Sequence, residues 1–246
     1  MAANQMARAV RQQLAIGRVL PLGGPADGSW ITEHAAAGAL RRASGVPAGV
    51  RIGTLRLSLA DPGRAPEPAV PAPPSALPPG PLRIEADFAA VADRPLPTVA
   101  DQVRTALLEA SVRELGLVVA VVDLRVSGLL EAGETGPAEG ASSPRAARTE
   151  GPPAASATGD RTGAAQDGRA QIAAVTLGVP GVARLAPVLG GLSRPVRLSD
   201  GHALIQLATA SGHRALDVAA AVRRAVTAAP PAPSTVAVLV TAVEQG

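Results

Sequence analysis

The chain has no cysteine, no lysine and no tyrosine, and Trp30 and Phe88 are its only aromatic side chains besides three histidines. Without cysteine there can be no disulfide framework, no thiol chemistry and no thiolate-bound metal. So few aromatics exclude the stacking platform used by most single-strand nucleic-acid binders. They also oblige the core to be built from Ala, Val, Leu and Ile, which bury less area per side chain. With lysine and tyrosine missing, few groups titrate between histidine and arginine, so the sequence pI of about 11.0 overstates the basicity of a chain with net charge +3. Arginines alternate with acids, and the densest basic stretch is only Arg8, Arg11 and Arg18. Steering toward phosphates wants a denser patch, so nucleic acid is disfavoured as a partner.

Long uninterrupted apolar runs are also scarce. Ala225 to Val243 is uncharged, but Pro230, Pro231 and Pro233 break it, and no transmembrane span is expected. The amino-terminal apolar run is cut by Arg18 and Pro21 before it takes signal-peptide form. These features lead to the expectation of a soluble cytoplasmic protein.

What the chain does contain is a repeat. GVPAGV at 45–50 is echoed by GVPGV at 178–182, VADQVR at 99 by VAAAVR at 218, and VVAVVDLRV at 118 by TVAVLVTAV at 235. Val99 and Val218 lie 119 apart and Val50 and Val182 lie 132 apart, which leaves 13 extra residues in the first copy, where a proline-rich stretch sits. Duplication with one loop expansion accounts for this pattern. The expected fold class is α+β: two tandem small modules, each a mostly antiparallel sheet packed with helices, joined by a disordered linker.

Residues 1–30 form an amino-terminal segment, with a helix expected over Gln5–Leu14 and then a short extended stretch and turn. Module one spans 31–130. Thr32 is expected to cap a helix to about Ala43, with Ile31 as a hydrophobic staple and Trp30 anchoring the helix start in the core. Val50–Leu59 and Leu82 onward alternate as strands. The insert at 60–81 holds nine prolines and is expected to be extended, solvated and unable to join a sheet. Thr98 is expected to cap the VADQVR helix, with Asp101 in the capping-box position, and Gly116 to end it. Residues 131–169 read as the disordered linker. Module two, 170–244, begins with a helix near Ala170–Thr176, turns tightly at Asp200 and Gly201, caps its second helix with Asp217 and closes on Thr235–Val243.

Candidate chemistry is thin. His34 lies early in a helix. Ser199, Asp200 and His202, or Ser211 and His213, offer nucleophile and base types, but without a nucleophile elbow. Asp200 with His202 lacks a third metal ligand. GGPADG at 23–28 lacks the Lys-Ser/Thr ending of a phosphate loop. PxxP spacing occurs at Pro68, Pro71 and Pro74, which suits aromatic grooves or plain spacing. The expectation is no catalytic, cofactor-binding or metal residues and no cofactor. The alternatives are a hydrolase-like enzyme using a histidine of module two and a weak nucleic-acid binder.

The order helix, GV(x)GV turn, strands, VAxxVR helix, Gly-Leu and closing β-branched strand resembles the alkaline shock protein family of Gram-positive bacteria, the envelope stress response proteins. The matching residues are Gly49, Val50, Leu82–Phe88, Val99, Ala100, Val103, Arg104, Gly116, Leu117, Val121, Asp123, Leu124 and Val126. The second copy matches through Val179, Pro180, Gly181, Val182, Val218, Ala219, Val222 and Arg223. The chain is also similar to a group of streptomycete proteins, some of which carry a name taken from a nucleopolyhedrovirus fibrous-body protein, and that name does not guide function. The resemblance implies a non-enzymatic cytoplasmic binding or scaffold protein. It further implies a protein partner or self-association, and membrane association only through an anchored partner. The duplication, the proline insert and the lack of acidic composition depart from the family pattern.

Overall fold

A computed structural model describes residues 17–131, 160–188 and 194–244. The Gln5–Leu14 helix lies outside the described residues, as does most of the expected linker. The elements are β1 (Val19–Pro21), β2 (Ser29–Thr32), α1 (Glu33–Arg41), β3 (Val50–Leu59), β4 (Leu82–Val91) and α2 (Leu96–Ala110) with a π-helical turn (Ser111–Leu115). They continue as β5 (Val119–Leu130), α3 (Asp160–Leu177), β6 (Val182–Leu185), β7 (Val196–Ser199), β8 (His202–Thr209), α4 (Ala215–Ala228) and β9 (Thr235–Val243). The fold is α+β, as the patterning indicates.

The repeat is present in the backbone. In the first copy β3 is antiparallel to β4, which is parallel to β5 across α2. In the second, β6 and β7 share one antiparallel edge of β8, which is parallel to β9 across α4. Hydrogen bonds repeat as well: Val91 N donates to Gly49 O at 2.9 Å, and Ala210 N to Gly181 O at 2.8 Å. Gly49 and Gly181 sit at φ +79° and +88°, where a side chain is strained, so both turns keep Gly-Val. One irregularity matches as well. β5 bulges between Val126 and Gly128 opposite Phe88 and Ala89, and β9 between Val240 and Ala242 opposite Leu207 and Ala208. The arginine of VAxxVR also makes the same bond in both copies. Arg104 Nε donates to Val122 O at 3.5 Å and Arg223 Nε to Val236 O at 3.0 Å, each tying helix to closing strand.

The copies are packed together. A continuous apolar core runs from Leu57, Ile84 and Phe88 through α1 to Ile205, Leu207 and Val238. Helix α1 fits between β3 and β9 because Ala35, Ala36, Ala37 and Ala39 are small, and all four are buried. Thr32 caps it as expected, accepting from Ala35 N at 3.3 Å. A second junction lies at Gly116, φ +85°, where an added Cβ would stand 2.5 Å from Leu216 Cβ. Beside it Arg214 Nε donates to Val112 O at 2.8 Å.

Several expectations are corrected. Thr98 and Asp217 do not cap; they lie in the first turns of helices whose caps are Pro95 and Arg214. Pro97, with φ already near the helical value, lets the first turn begin earlier. Asp101 pairs with Arg104 instead of closing a capping box. Helix α3 begins at Asp160, ahead of Ala170, so 160–169 is helical; buried Ile172 and Thr176 anchor its later turns. The proline insert, expected to stay in water, is a strap. Ala76 bridges Val19 of β1, Leu77 N donates to Val19 O at 2.8 Å and Ala69 N to Pro25 O at 3.0 Å. Non-proline residues between the prolines supply these donors. Val70 of the strap packs with Val19, Trp30, Leu204, Ala237 and Leu239.

That cluster covers the back face of a six-stranded sheet, ordered β1-β2-β9-β8-β6 with β7 also on β8. Trp30 is buried as expected, but in β2, which lies parallel to β9. The other sheet has three strands, β3-β4-β5.

Candidate functional site

The three-stranded sheet has two edges, and the chain treats them differently. The outer backbone of β3 is occupied by side chains: Leu57 N donates to Glu33 Oε1 at 3.0 Å, while Arg18 reaches Leu57 O at 3.1 Å and Arg41 reaches Gly53 O at 3.0 Å. Such capping blunts an edge that would otherwise template another strand. Among the described residues β5 pairs on one side only, with β4. Leu82 N bonds Val118 O toward β4, whereas Val122 O turns away and meets Arg104. By the two-residue period of a strand, the N–H and C=O groups of Leu124 and Val126 face the same open side. Val126 and Leu129 there are 42% and 62% exposed.

The second copy shows what such an edge can hold. Val126 opposite Phe88 corresponds to Val240 opposite Leu207, so Leu124–Val126 are the counterparts of Val238–Val240. Those three residues carry β2, in the register Ser29↔Val238, Trp30↔Leu239, Ile31↔Val240. Edge and back face are covered by other parts of the chain in the second copy; in the first, among the described residues, the back face is open and the edge is held only at Val122 O by Arg104.

The open face is ionic. Arg56, Glu85 and Asp123 stand in one row across the three strands, with Asp87 and Arg125 in the next row but one along β4 and β5. Arg83 and Asp123 form an ion pair at 3.0 Å with side chains 42% and 51% exposed, worth little in water. Thr54, Arg56, Glu85, Asp87, Asp123 and Arg125 line a shallow depression of about 310 Å³. Among the described residues Arg125 forms no ion pair. Alternating charge and apolar residues at Asp123, Leu124, Arg125 and Val126 is the sequence signal for this face; nothing in that signal says that the edge is open.

The histidines are not brought together. His34 is exposed on α1. Asp200 and Gly201, at φ +51° and +74°, form the expected tight turn between β7 and β8. Ser199 Oγ donates to Asp200 Oδ2 at 3.0 Å, but His202 Nδ1 turns to Thr235 Oγ1 at 2.8 Å, so Ser199, Asp200 and His202 do not form a relay. Burial holds the His202 imidazole below its ordinary value of 6.5. His213 Nδ1 lies 3.1 Å from the Ser211 carbonyl, which identifies it as the protonated nitrogen. It borders a cleft of about 370 Å³ between the copies, lined by Arg42, Arg113, Glu114, Arg214 and Glu244. Arg214 is held there by Val112 O and Asp217. No group of three or more potential metal ligands occurs among the described residues. Nor is any described helix long and apolar enough to cross a membrane. Of the PxxP residues, Pro71 and Pro74 are exposed, while neighbouring Val70 is buried in the strap.

No family model, curated protein or solved structure matches the chain.

Proposed function

We propose that this chain is a non-enzymatic cytoplasmic binding or scaffold protein that works through protein–protein contacts, in the manner of the alkaline shock proteins it resembles, with any membrane association made through an anchored partner. The observation that carries this reading is the β5 edge, which among the described residues is unpaired and capped only at Val122 O by Arg104, beside an uncovered ionic face, in a chain that caps its β3 edge and covers the equivalent β9 edge. A bare edge offers a row of N–H and C=O groups, which is the physical basis of strand addition between proteins. The repeated motif residues support the same reading, because Gly49, Gly181, Arg104 and Arg223 serve turns and strand ties.

A photo-crosslinking residue placed at Val126 or Leu129 in living cells, with exposed Ala72 as control, tests it. The expected result is discrete protein adducts from positions 126 and 129 and none from 72, with His202→Ala and His213→Ala leaving them unchanged. Equal, diffuse labelling from all three positions would overturn the reading. So would loss of cellular function in a folded histidine variant, which would favour a hydrolase-like enzyme.

A further inference from the structure

We infer that β5 pairs antiparallel with β5 of a second copy of this chain, about a twofold axis at Leu124. The inference rests on the protein-contact reading above and names the partner at that same edge.

The edge is self-complementary in one register. A twofold contact joins the same patch from both subunits, so the two strands must run antiparallel. With Leu124 on the axis, Leu124 lies opposite its own copy and Val122 opposite Val126 of the second copy. These are the residues whose N–H and C=O groups face outward, and they become the hydrogen-bonded pairs, with Val122 O either sharing its second lone pair or releasing the long 3.5 Å bond from Arg104. Asp123 then lies opposite Arg125 of the second copy, and Arg125 opposite its Asp123. These are the non-hydrogen-bonded positions, where side chains approach most closely and unlike charges stabilise. Moving the axis to Asp123 or Arg125 would set like charges face to face, and a one-residue slip between the strands would turn apolar side chains to the wrong face. Charge and pleat therefore select the same register. Arg125, which forms no ion pair among the described residues, gains one, and the half-exposed Val126 gains an apolar neighbour. Joining the two three-stranded sheets also reproduces what the second copy achieves internally, a six-stranded sheet with its β9 edge occupied.

The test is sedimentation equilibrium of the full chain over a wide concentration range. The expected result is a concentration-dependent dimer. Asp123→Arg and Arg125→Asp should each weaken it at least about tenfold, because each turns two unlike contacts into like ones. An equimolar mixture of the two variants should recover the dimer, since every facing pair is again unlike, and the double variant D123R/R125D should recover it alone. Both side chains are on the solvent face, and thermal melts establish that each variant is folded. A chain that stays monomeric at its solubility limit overturns the inference, as does a dimer indifferent to the single substitutions or variants whose mixture stays monomeric. Adducts from Val126 to a different protein, with the chain itself monomeric, would overturn self-pairing and leave the protein-contact reading standing. No adducts of either kind would overturn that reading as well.

Discussion

Glu33→Ala removes a carboxylate that does two things at once, and its cost can be worked out from the structure. Glu33 is 8% exposed at the first position of α1. Its Oε1 accepts from Leu57 N at 3.0 Å and its Oε2 from Arg18 N at 3.1 Å. Leu57 is fully buried, so its N–H would be left without protein or water partner, at a cost of about 1–3 kcal/mol. Arg18 is exposed, and water can replace its lost bond, which lowers that contribution to about 1 kcal/mol. The total is about 2–4 kcal/mol, which in a chain of this size lowers Tm by roughly 4–16 °C. Glu33→Gln keeps one acceptor oxygen and should lose about half as much. Urea unfolding gives the free energies, and amide hydrogen exchange at Leu57 locates the loss. A Glu33→Ala variant within about 0.5 kcal/mol of the parent, inside the range of ordinary surface changes, would refute the claim that this carboxylate closes the β3 edge. Unchanged protection at Leu57 would refute it equally.

Arg223→Lys should cost more than Arg104→Lys: Arg223 ties Val236 and also holds Ala26 O and Asp27 O of the β1–β2 turn, whereas Arg104 holds one carbonyl and an exposed acid. Urea midpoints should place the difference at about 1 kcal/mol, and equal losses would contradict it. Phe88→Ala, in the core of the first copy, should lose about 3–5 kcal/mol by the same measurement. Gly116→Ala should destabilise by more than about 1 kcal/mol, since it meets both a positive φ and Leu216 Cβ; a neutral result would mean that the copies are not in contact there. His202 is held below 6.5 by burial, so the native state takes up a proton less readily than the unfolded chain. Its contribution is intact above 6.5 and is lost as pH falls from there through the folded-state value. Comparing urea midpoints at about pH 7.5 and about pH 5.5, His202→Asn should flatten that part of the decline, and an unaltered slope would refute it.

Local signals in this sequence were reliable where one rule acted alone. Val50–Leu59 and Thr235–Val243 have the bounds that alternation gives them. The Asp200-Gly201 turn and the Thr32 cap follow from side-chain chemistry confined to a few residues. The repeat was legible because its Gly-Val turns, VAxxVR helices and β-branched strands each answer a backbone or packing need that recurs in both copies. What could not be read is long-range. Ser29–Thr32 is a four-residue strand between the three-residue β1 and the distant β9, too short for alternation to mark it as a strand. Val70 and Leu77 gave no local sign that the proline stretch would lie on another sheet. The candidate site was not read from the sequence. The alternation of Asp123 and Arg125 with apolar residues carries a signal for a wet face that went unread, and an open edge is a statement about neighbours. Helix starts failed at Thr98 and Asp217 because good capping residues lay one turn inside the helices, behind Pro95 and Arg214.

The pairing of β2 with β9 dictates the order in which the molecule can be made. Thr32 and Thr241, joined by a hydrogen bond, are 209 residues apart. At about 5–20 residues added per second, a nascent Trp30 waits roughly 10–40 s for the strand that will shield it. The β3-β4-β5 sheet meets no such delay and closes while synthesis continues. A ribosome stalled before Thr235 therefore holds Trp30 and the inner face of the Glu33–Arg41 helix without the strand that covers them, exposed apolar surface of the kind chaperones bind.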